Sequence, residues 1–308
     1  MRDEDKLKDL DKLRQNFVNE VDALKKSKRN ITQPQIISVI PSWKNYTTSV
    51  ESKQIKRPPA RWEIINLAEL FECTSHQRNV LLAAAGYKTE DEYVNDPQRL
   101  KVLLQPLLQL MECTPYPCYI LNKDWSILAI SLTALEFFAI PLTALMNLPP
   151  EHFNVLSLLL YEKSPLYALM KEGQENYWRQ VVYRNVIGFK VENELCLYDD
   201  WFIKIIAHFR QFPEFVRIYD EGYNPIKEQL EAANKNPDNK DNFDWLDYKT
   251  RFVRNGITLT TRSVMAKAGD LTHPQLVYYV PADEVTRDWF KDELKIHLPD
   301  KSRIFKIF

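Results

Sequence analysis

A chain of 308 residues with 45% hydrophobic and 12% aromatic side chains has room for two domains and the composition of a globular protein with buried cores. Four cysteines (73, 113, 118 and 196) show neither Cys-x-x-Cys spacing nor a neighbouring histidine pair, which argues against a zinc site and a disulfide framework. The net charge of −1 conceals a split. From Lys25 to Arg61 nine Lys or Arg face one acid, Glu51, so that window carries +8 and the other 271 residues −9, a distribution suited to a polyanionic partner.

Leu7, Leu10, Leu13, Phe17, Val21 and Leu24 step by three and four residues, predicting an amphipathic helix from Asp5 to Lys26. Lys25, Lys26, Lys28 and Arg29 close it, favourable at a helix C-terminus and useful against phosphates. A second helix follows. Thr32 and Gln35 have capping-box spacing, Pro34 falls in the first turn where N–H groups are free, and Ile36, Ile37 and Ile40 give one apolar face. Pro41-Ser42 breaks it. Ser42 can cap a third helix with Tyr46 and Val50 facing inward and Lys44, Asn45, Thr48 and Ser49 facing out, as entry into a major groove requires.

The stretch Ile31 to Pro59, ITQPQIISVIPSWKNYTTSVESKQIKRPP, resembles the helix-turn-helix of the Cro/lambda-repressor-like (Xre) regulators. Thr32 and Glu51 stand nineteen positions apart, as in that family, and Pro58 and Pro59 follow. The resemblance implies double-stranded DNA as partner. Gln33 would approach the backbone and bases, Lys44, Asn45, Thr48 and Ser49 would face the groove, and Lys53, Lys56 and Arg57 would lie in a basic exit loop. The chain departs from the pattern with Pro41 at the turn glycine, Trp43 at the capping position and Lys53 after Glu51. These departures keep a second reading open: a scaffold or ligand-binding protein whose helix-turn-helix no longer reads DNA.

Trp62, Ile65 and Leu70 mark a fourth helix, and Thr74 with Gln77 opens a fifth that runs to Ala85 and stops at Gly86. LAELFECTSHQRNVLLAAAGY resembles the closing helix pair of the same family, so residues 1–90 are expected to form an all-α DNA-binding domain. Asp96 to Met111, a largely apolar helix interrupted by Pro106, fills a connecting segment 91–114 and must be buried by its own second domain or by a dimer partner.

From Tyr116 the pattern turns to strand. Pro117 to Leu121 and Trp125 to Ile130 flank the turn-prone Asn122-Lys123-Asp124. Helical patterns follow at Ala134–Ile140, Phe153–Tyr161, Ser164–Met170, Asn176–Phe189, Asp200–Phe209, Glu214–Tyr219 and Ile226–Ala233, and Asn234 to Asn242 reads as an exposed loop. Tyr248–Val253 and Ile257–Met265 flank Asn255-Gly256, a strong hairpin signal. Leu276–Val280 is a further strand and Glu284–Leu294 a final helix. Hairpin, helices, then strands is the order of a PAS-like α+β domain over 115–300, an antiparallel sheet with helices over one face.

The segments YPCYILNKDWSILAISLTALEFFAI, FNVLSLLLYEKSPLYALM, YWRQVV and FPEFVRIY resemble the MmyB-like ligand-binding domain that follows this type of helix-turn-helix in many bacterial regulators. That resemblance implies a fatty acid or similar small apolar ligand and no other cofactor. Candidate linings are Trp125, Ile127, Phe137, Phe138, Leu156, Trp178, Val182, Phe189 and Phe252, each of which plain core packing also explains. Arg179 or Arg184 could pair with a ligand carboxylate. Ser131 stands where that family has Asn.

No catalytic residue is assigned. The five histidines are scattered, and Asp199-Asp200 falls where a helix should begin, so its acids answer the helix dipole. Cys113 and Cys118 could pair redox-actively, although a free cysteine more often behaves as a buried hydrophobe. The absence of a signal-peptide pattern makes the cytoplasm the expected location. Trp125 to Leu148 is long enough to span a bilayer, but Pro141 and the lack of flanking basic clusters make it core. The expectation is a non-enzymatic, ligand-responsive transcriptional regulator acting as a homodimer, because one such domain makes few base contacts.

Overall fold

The computed structural model describes residues 3–28, 30–41, 59–90, 93–94, 96–171, 174–228, 249–267 and 272–296, with side chains from Lys12 onward. The chain divides into two compact units, 1–92 with 195–203, and 93–194 with 204–308.

The first unit is helical: α1 (Asp3–Ser27), α2 (Gln33–Val39), α3 (Arg61–Leu70) and α4 (Ser75–Ala84). The periodic positions meet in one core, where Phe17, Val21, Ile36, Ile40, Ile64, Leu67, Phe71, Leu81 and Leu82 are fully buried. Each such side chain contributes about 1.5–3 kcal/mol by leaving water. Local chemistry sets the helix starts. Gln35 Oε1 accepts the Thr32 N–H at 2.8 Å, and Glu63 accepts the Ala60 N–H at 2.7 Å. Thr74 and Gln77 close a reciprocal box at 3.0 and 3.3 Å. Gly86 ends α4 with φ +81°, and a Cβ there would lie 3.0 Å from Leu13 Cδ1.

Residues 195–203 complete this unit by polar contact. Asp199 is buried and accepts three hydrogen bonds: from the Ser75 N–H at 2.6 Å, the Ser75 hydroxyl at 2.5 Å and Trp201 Nε1 at 3.2 Å. Arg78 donates to the Leu195 carbonyl. The expectation that Asp199 serves the dipole of its own helix is therefore corrected. Its backbone carbonyl starts that helix by accepting from Ile203 N–H, but its carboxylate caps α4, because a buried acceptor goes where free N–H groups are.

The second unit comprises α5 (Pro97–Cys113), β1 (Cys118–Leu121), β2 (Ile127–Ile130), α6 (Leu132–Phe137), α7 (Leu142–Met146), α8 (Val155–Leu160), α9 (Pro165–Lys171), α10 (Glu175–Glu192), β3 (Lys249–Arg254), β4 (Ile257–Lys267), β5 (Gln275–Pro281) and α13 (Glu284–Asp292). Between α10 and β3 come α11 (Asp200–Phe209), α12 (Pro213–Tyr219) and a helical turn at 225–228. All pairings are antiparallel, in the order β2-β1-β5-β4-β3. The first unit is thus all-α and the second α+β.

Alternation divides the sheet. Tyr119, Phe252 and Tyr279 point to one face, where Phe137, Trp289 and Phe290 of α6 and α13 cover them. Cys118, Ile120 and Leu276 point to the other and pack on Leu107, with Leu104 and Met111 beside it. Helices therefore lie on both faces, not one, because α5 supplies an apolar stripe. Pro106 does not interrupt α5, since both Pro106 and Val102, whose carbonyl it leaves unpaired, are exposed to water.

Asn255 and Gly256 adopt φ +50° and +77°, both left-handed as a two-residue hairpin turn demands. In the first hairpin, Trp125 has φ +61° and closes the turn by donating its N–H to the Asn122 carbonyl at 3.0 Å. The expected strand from Trp125 thus starts at Ile127, with Trp125 where a turn favours glycine. Its indole compensates, lying edge-on to Phe189 at 5.6 Å and donating Nε1–H to Glu192 at 2.7 Å. Ser131 accepts from Ala134 N–H and Cys118 N–H, both at 3.1 Å, so it caps α6 and ties it to β1. The apolar stretch Trp125 to Leu148 becomes β2, α6 and an unanticipated α7 after Pro141. Among the described residues no helix is long and apolar enough to cross a membrane.

Candidate functional site

The first candidate surface lies where α1 ends and α2 begins. Of the residues expected to face DNA, Gln33 alone falls within the described residues. Lys44, Asn45, Thr48, Ser49, Lys53, Lys56 and Arg57 lie outside them, as do Trp43 and the loop Asn234–Asn242. Gln33 is half-buried at the first position of α2, and its Oε1 accepts from Lys25 Nζ at 3.1 Å. That bond fixes the amide and leaves its NH2 as a donor. Lys28 Nζ donates to the Glu72 carbonyl at 3.2 Å, and Arg61 pairs with Glu90. Lys26 is exposed. Pro59, where the described chain resumes, is held by Tyr87, whose hydroxyl donates to its carbonyl at 2.9 Å. The anchors of the stretch from 42 to 58 are therefore Ile40, buried in the helical core, and Pro59.

The second candidate is the aromatic interior of the second unit. Six of the nine expected lining residues take part in three sets of ring contacts. Phe137, Phe138 and Phe252 come together, their rings 5.0–5.4 Å apart, and Phe138 meets Tyr279 at 5.3 Å. Trp125 and Phe189 belong to a second set that continues to Phe209 at 5.6 Å. Trp178 sits beside Tyr167 at 5.4 Å and donates Nε1–H to the Leu159 carbonyl at 2.9 Å. Leu156 and Val182 are fully buried, whereas Ile127 is half-buried on the edge strand β2.

Three hydroxyls set the polarity of this interior. Tyr119 and Tyr279 share a hydrogen bond at 3.1 Å, and burial pushes both phenols up. Tyr177 accepts from the Arg251 N–H at 2.5 Å, which satisfies a backbone donor on the outer strand β3. Burial raises its phenol, while that backbone bond and the charge of Arg184 oppose the rise. Arg179 is committed to Glu175 at 2.9 Å, and Arg184 has a buried Nε without a hydrogen-bond partner. None of these tyrosines was expected at the site. The sequence signal for Tyr119 and Tyr279 is strand alternation, which marks them for one face without distinguishing a polar contact from core, and Tyr177 lies on the helix α10. Among the described residues no group of three or more His, Cys, Asp or Glu is placed to hold a metal, and the four cysteines form no disulfide.

Compared with known protein families and with curated proteins, the chain finds no match.

Proposed function

We propose that the protein is a DNA-binding transcriptional regulator whose first unit reads duplex DNA through a helix-turn-helix, as a homodimer, and whose PAS-like second unit senses a small apolar molecule. The reading rests on the resemblance of residues 31–59 to the Xre family and of the second unit to the MmyB-like domain. The observation that carries it is the concentration of +8 charge between Lys25 and Arg61, in a helical unit where Lys25 orients Gln33 at the start of α2. The order of hairpin, helices and three further strands supports the PAS-like assignment. A ligand acts as a switch only by binding one arrangement of two reading heads better than another.

The test is retention of duplex DNA across a salt series, after selecting preferred sequences from a random pool. A protein making six to ten phosphate contacts loses roughly 10³–10⁵ in affinity between 50 and 200 mM salt. Lys44→Ala with Asn45→Ala should abolish sequence preference while leaving the fold intact. No retention at low salt would favour the alternative, a scaffold or ligand-binding protein, which Pro41, Trp43 and Lys53 motivate. Native mass spectrometry reads out the second unit, where a retained apolar molecule supports sensing.

A further inference from the structure

Two histidines that neither candidate site uses meet inside the second unit. The 3-10 turn Pro150–His152 stacks His152 on Tyr161, ring centroids 4.0 Å apart and 8° from parallel. His208, from α11, lies 5.3 Å from His152. His152 is 6% exposed, and its Nδ1 has no hydrogen-bond partner. His208 Nε2 sits 3.1 Å from the hydroxyl of Ser157 on α8, and its Nδ1 3.0 Å from Gln211 Nε2. Phe209 and Phe212 wall the pair, each 5.7 Å from the His208 ring.

This geometry suits neutral rings. A neutral His208 accepts the Gln211 N–H at Nδ1 and donates from Nε2 to Ser157, so both nitrogens are used. A proton on Nδ1 turns the first contact into donor against donor until the amide flips. The resulting cation would sit in a half-dry aromatic enclosure, 5.3 Å from the His152 ring and against Phe209 and Phe212, where charge is poorly solvated. We propose that the His152–His208 pair is a proton-operated clamp: neutral, it holds the turn Pro150–His152 and α8 onto α11, and acidification opens it.

The charged and titratable groups around the pair are few. Glu151 lies on the same turn, Tyr161 stacks on His152, and His152 and Glu151 are the charges that act on His208. Burial first, then the charge of His152, hold the His208 imidazolium below the ordinary value of 6.5, and Glu151 opposes them. A histidine depressed in the closed state binds its proton more readily once opened. The clamp is therefore complete above pH 6.5 and weakens as the pH falls below it.

Native-state hydrogen exchange on the full chain tests this at the amides of Leu158 and Tyr161, which donate to Asn154 and Ser157. Between pH 7.5 and 5.5, after correction for intrinsic exchange, their opening constant should rise by up to about tenfold per pH unit for each proton taken up. His208→Gln should flatten that rise. His152→Phe, which keeps the stack on Tyr161 without a proton, should flatten it as well. An unchanged rise in His208→Gln, or no rise in the wild type, overturns the proposal. Should a variant fail to fold, the wild-type imidazole proton resonances decide: a His208 midpoint below 6.5 supports the clamp, and one at or above it overturns the clamp.

Discussion

Removing the Asp199 carboxylate should unravel the start of α4. Ser75 is the first residue of that helix, and its N–H, one of the four donors a helix leaves free, ends 2.6 Å from Asp199 Oδ1. Asp199→Ala would strand three donors: this N–H, the Ser75 hydroxyl and Trp201 Nε1. Hydrogen bonds to a charged acceptor contribute about 1.5–3 kcal/mol each, and a buried unsatisfied donor costs about 1–3. Because Trp201 is only partly buried and water can serve it, the expected loss is about 3–5 kcal/mol. Ser75→Ala deletes one of the three donors and should cost about 1–2 kcal/mol. Asp200→Ala is the control. It removes only a first-turn charge, worth about 0.3–1 kcal/mol. Urea unfolding followed by circular dichroism, with exchange of the Arg78 amide as the local readout, separates these values. If Asp199→Ala and Asp200→Ala fell within about 0.5 kcal/mol of each other, the capping argument would be wrong, and both acids would simply answer the dipole of α11.

Two glycines should respond in opposite directions to alanine. Gly86→Ala meets Leu13 at 3.0 Å in a left-handed conformation and should lower stability by about 1–2 kcal/mol, whereas Gly188→Ala, inside α10 with Trp125 at 3.5 Å, should raise it by about 0.5–1 kcal/mol; thermal unfolding reads both. Glu72 holds φ +47° after α3, so Glu72→Gly should be neutral or stabilising despite removing a 4.0 Å ion pair with Lys28, and a clear drop in stability would mean that pair outweighs backbone strain. Native thiol titration at pH 8 should modify Cys113, which is exposed, and spare Cys73, whose thiol burial pushes up to about 11; fast labelling of Cys73 would contradict that burial. Phe137→Ala should cost about 3–5 kcal/mol, measured in the second unit by the same unfolding, because five aromatic rings converge on a side chain that is 1% exposed.

What the sequence carried, it carried through local chemistry. Thr74 and Gln77 are three residues apart, so their box needs nothing distant, and Asn255-Gly256 specifies a left-handed turn by residue type alone. The heptad-like spacing in α1 announced its buried face for the same reason. Contacts between remote positions were another matter. Asp199 reaches Ser75 across 124 residues, and nothing in either neighbourhood distinguishes that carboxylate from Asp200 beside it. Trp125 misled because an aromatic next to a turn reads as the first strand residue, whereas here its ring contacts tolerate a left-handed backbone. Pro141 entered only as an argument against a membrane span, whereas in the structure it provides the N-cap position of α7. The lining candidates were chosen by size and apolarity, which cannot tell a ligand-lining side chain from packed core.

Charge counted along a sequence is not charge available to a partner, and the distinction gives a sharper test of the DNA reading. Of the described cations in the Lys25–Arg61 window, Arg61 is paired with Glu90 and Lys28 lies 4.0 Å from the Glu72 carboxylate, whereas Lys25 donates to a neutral amide and Lys26 is exposed, so these two keep their charge. Paired cations release few counterions, so the salt dependence of DNA binding should come from Lys25 and Lys26 and, above all, from the stretch that carries Lys44, Lys53, Lys56 and Arg57. Deleting one phosphate-neutralising side chain there should reduce the slope of log K against log salt by about 0.9. Lys53→Ala, Lys56→Ala and Arg57→Ala together should flatten it by nearly three, while Lys28→Ala with Arg61→Ala should leave it within about one. The reverse pattern would place the phosphate-facing surface on α1 and α3 and would remove residues 53–57 from contact with the duplex.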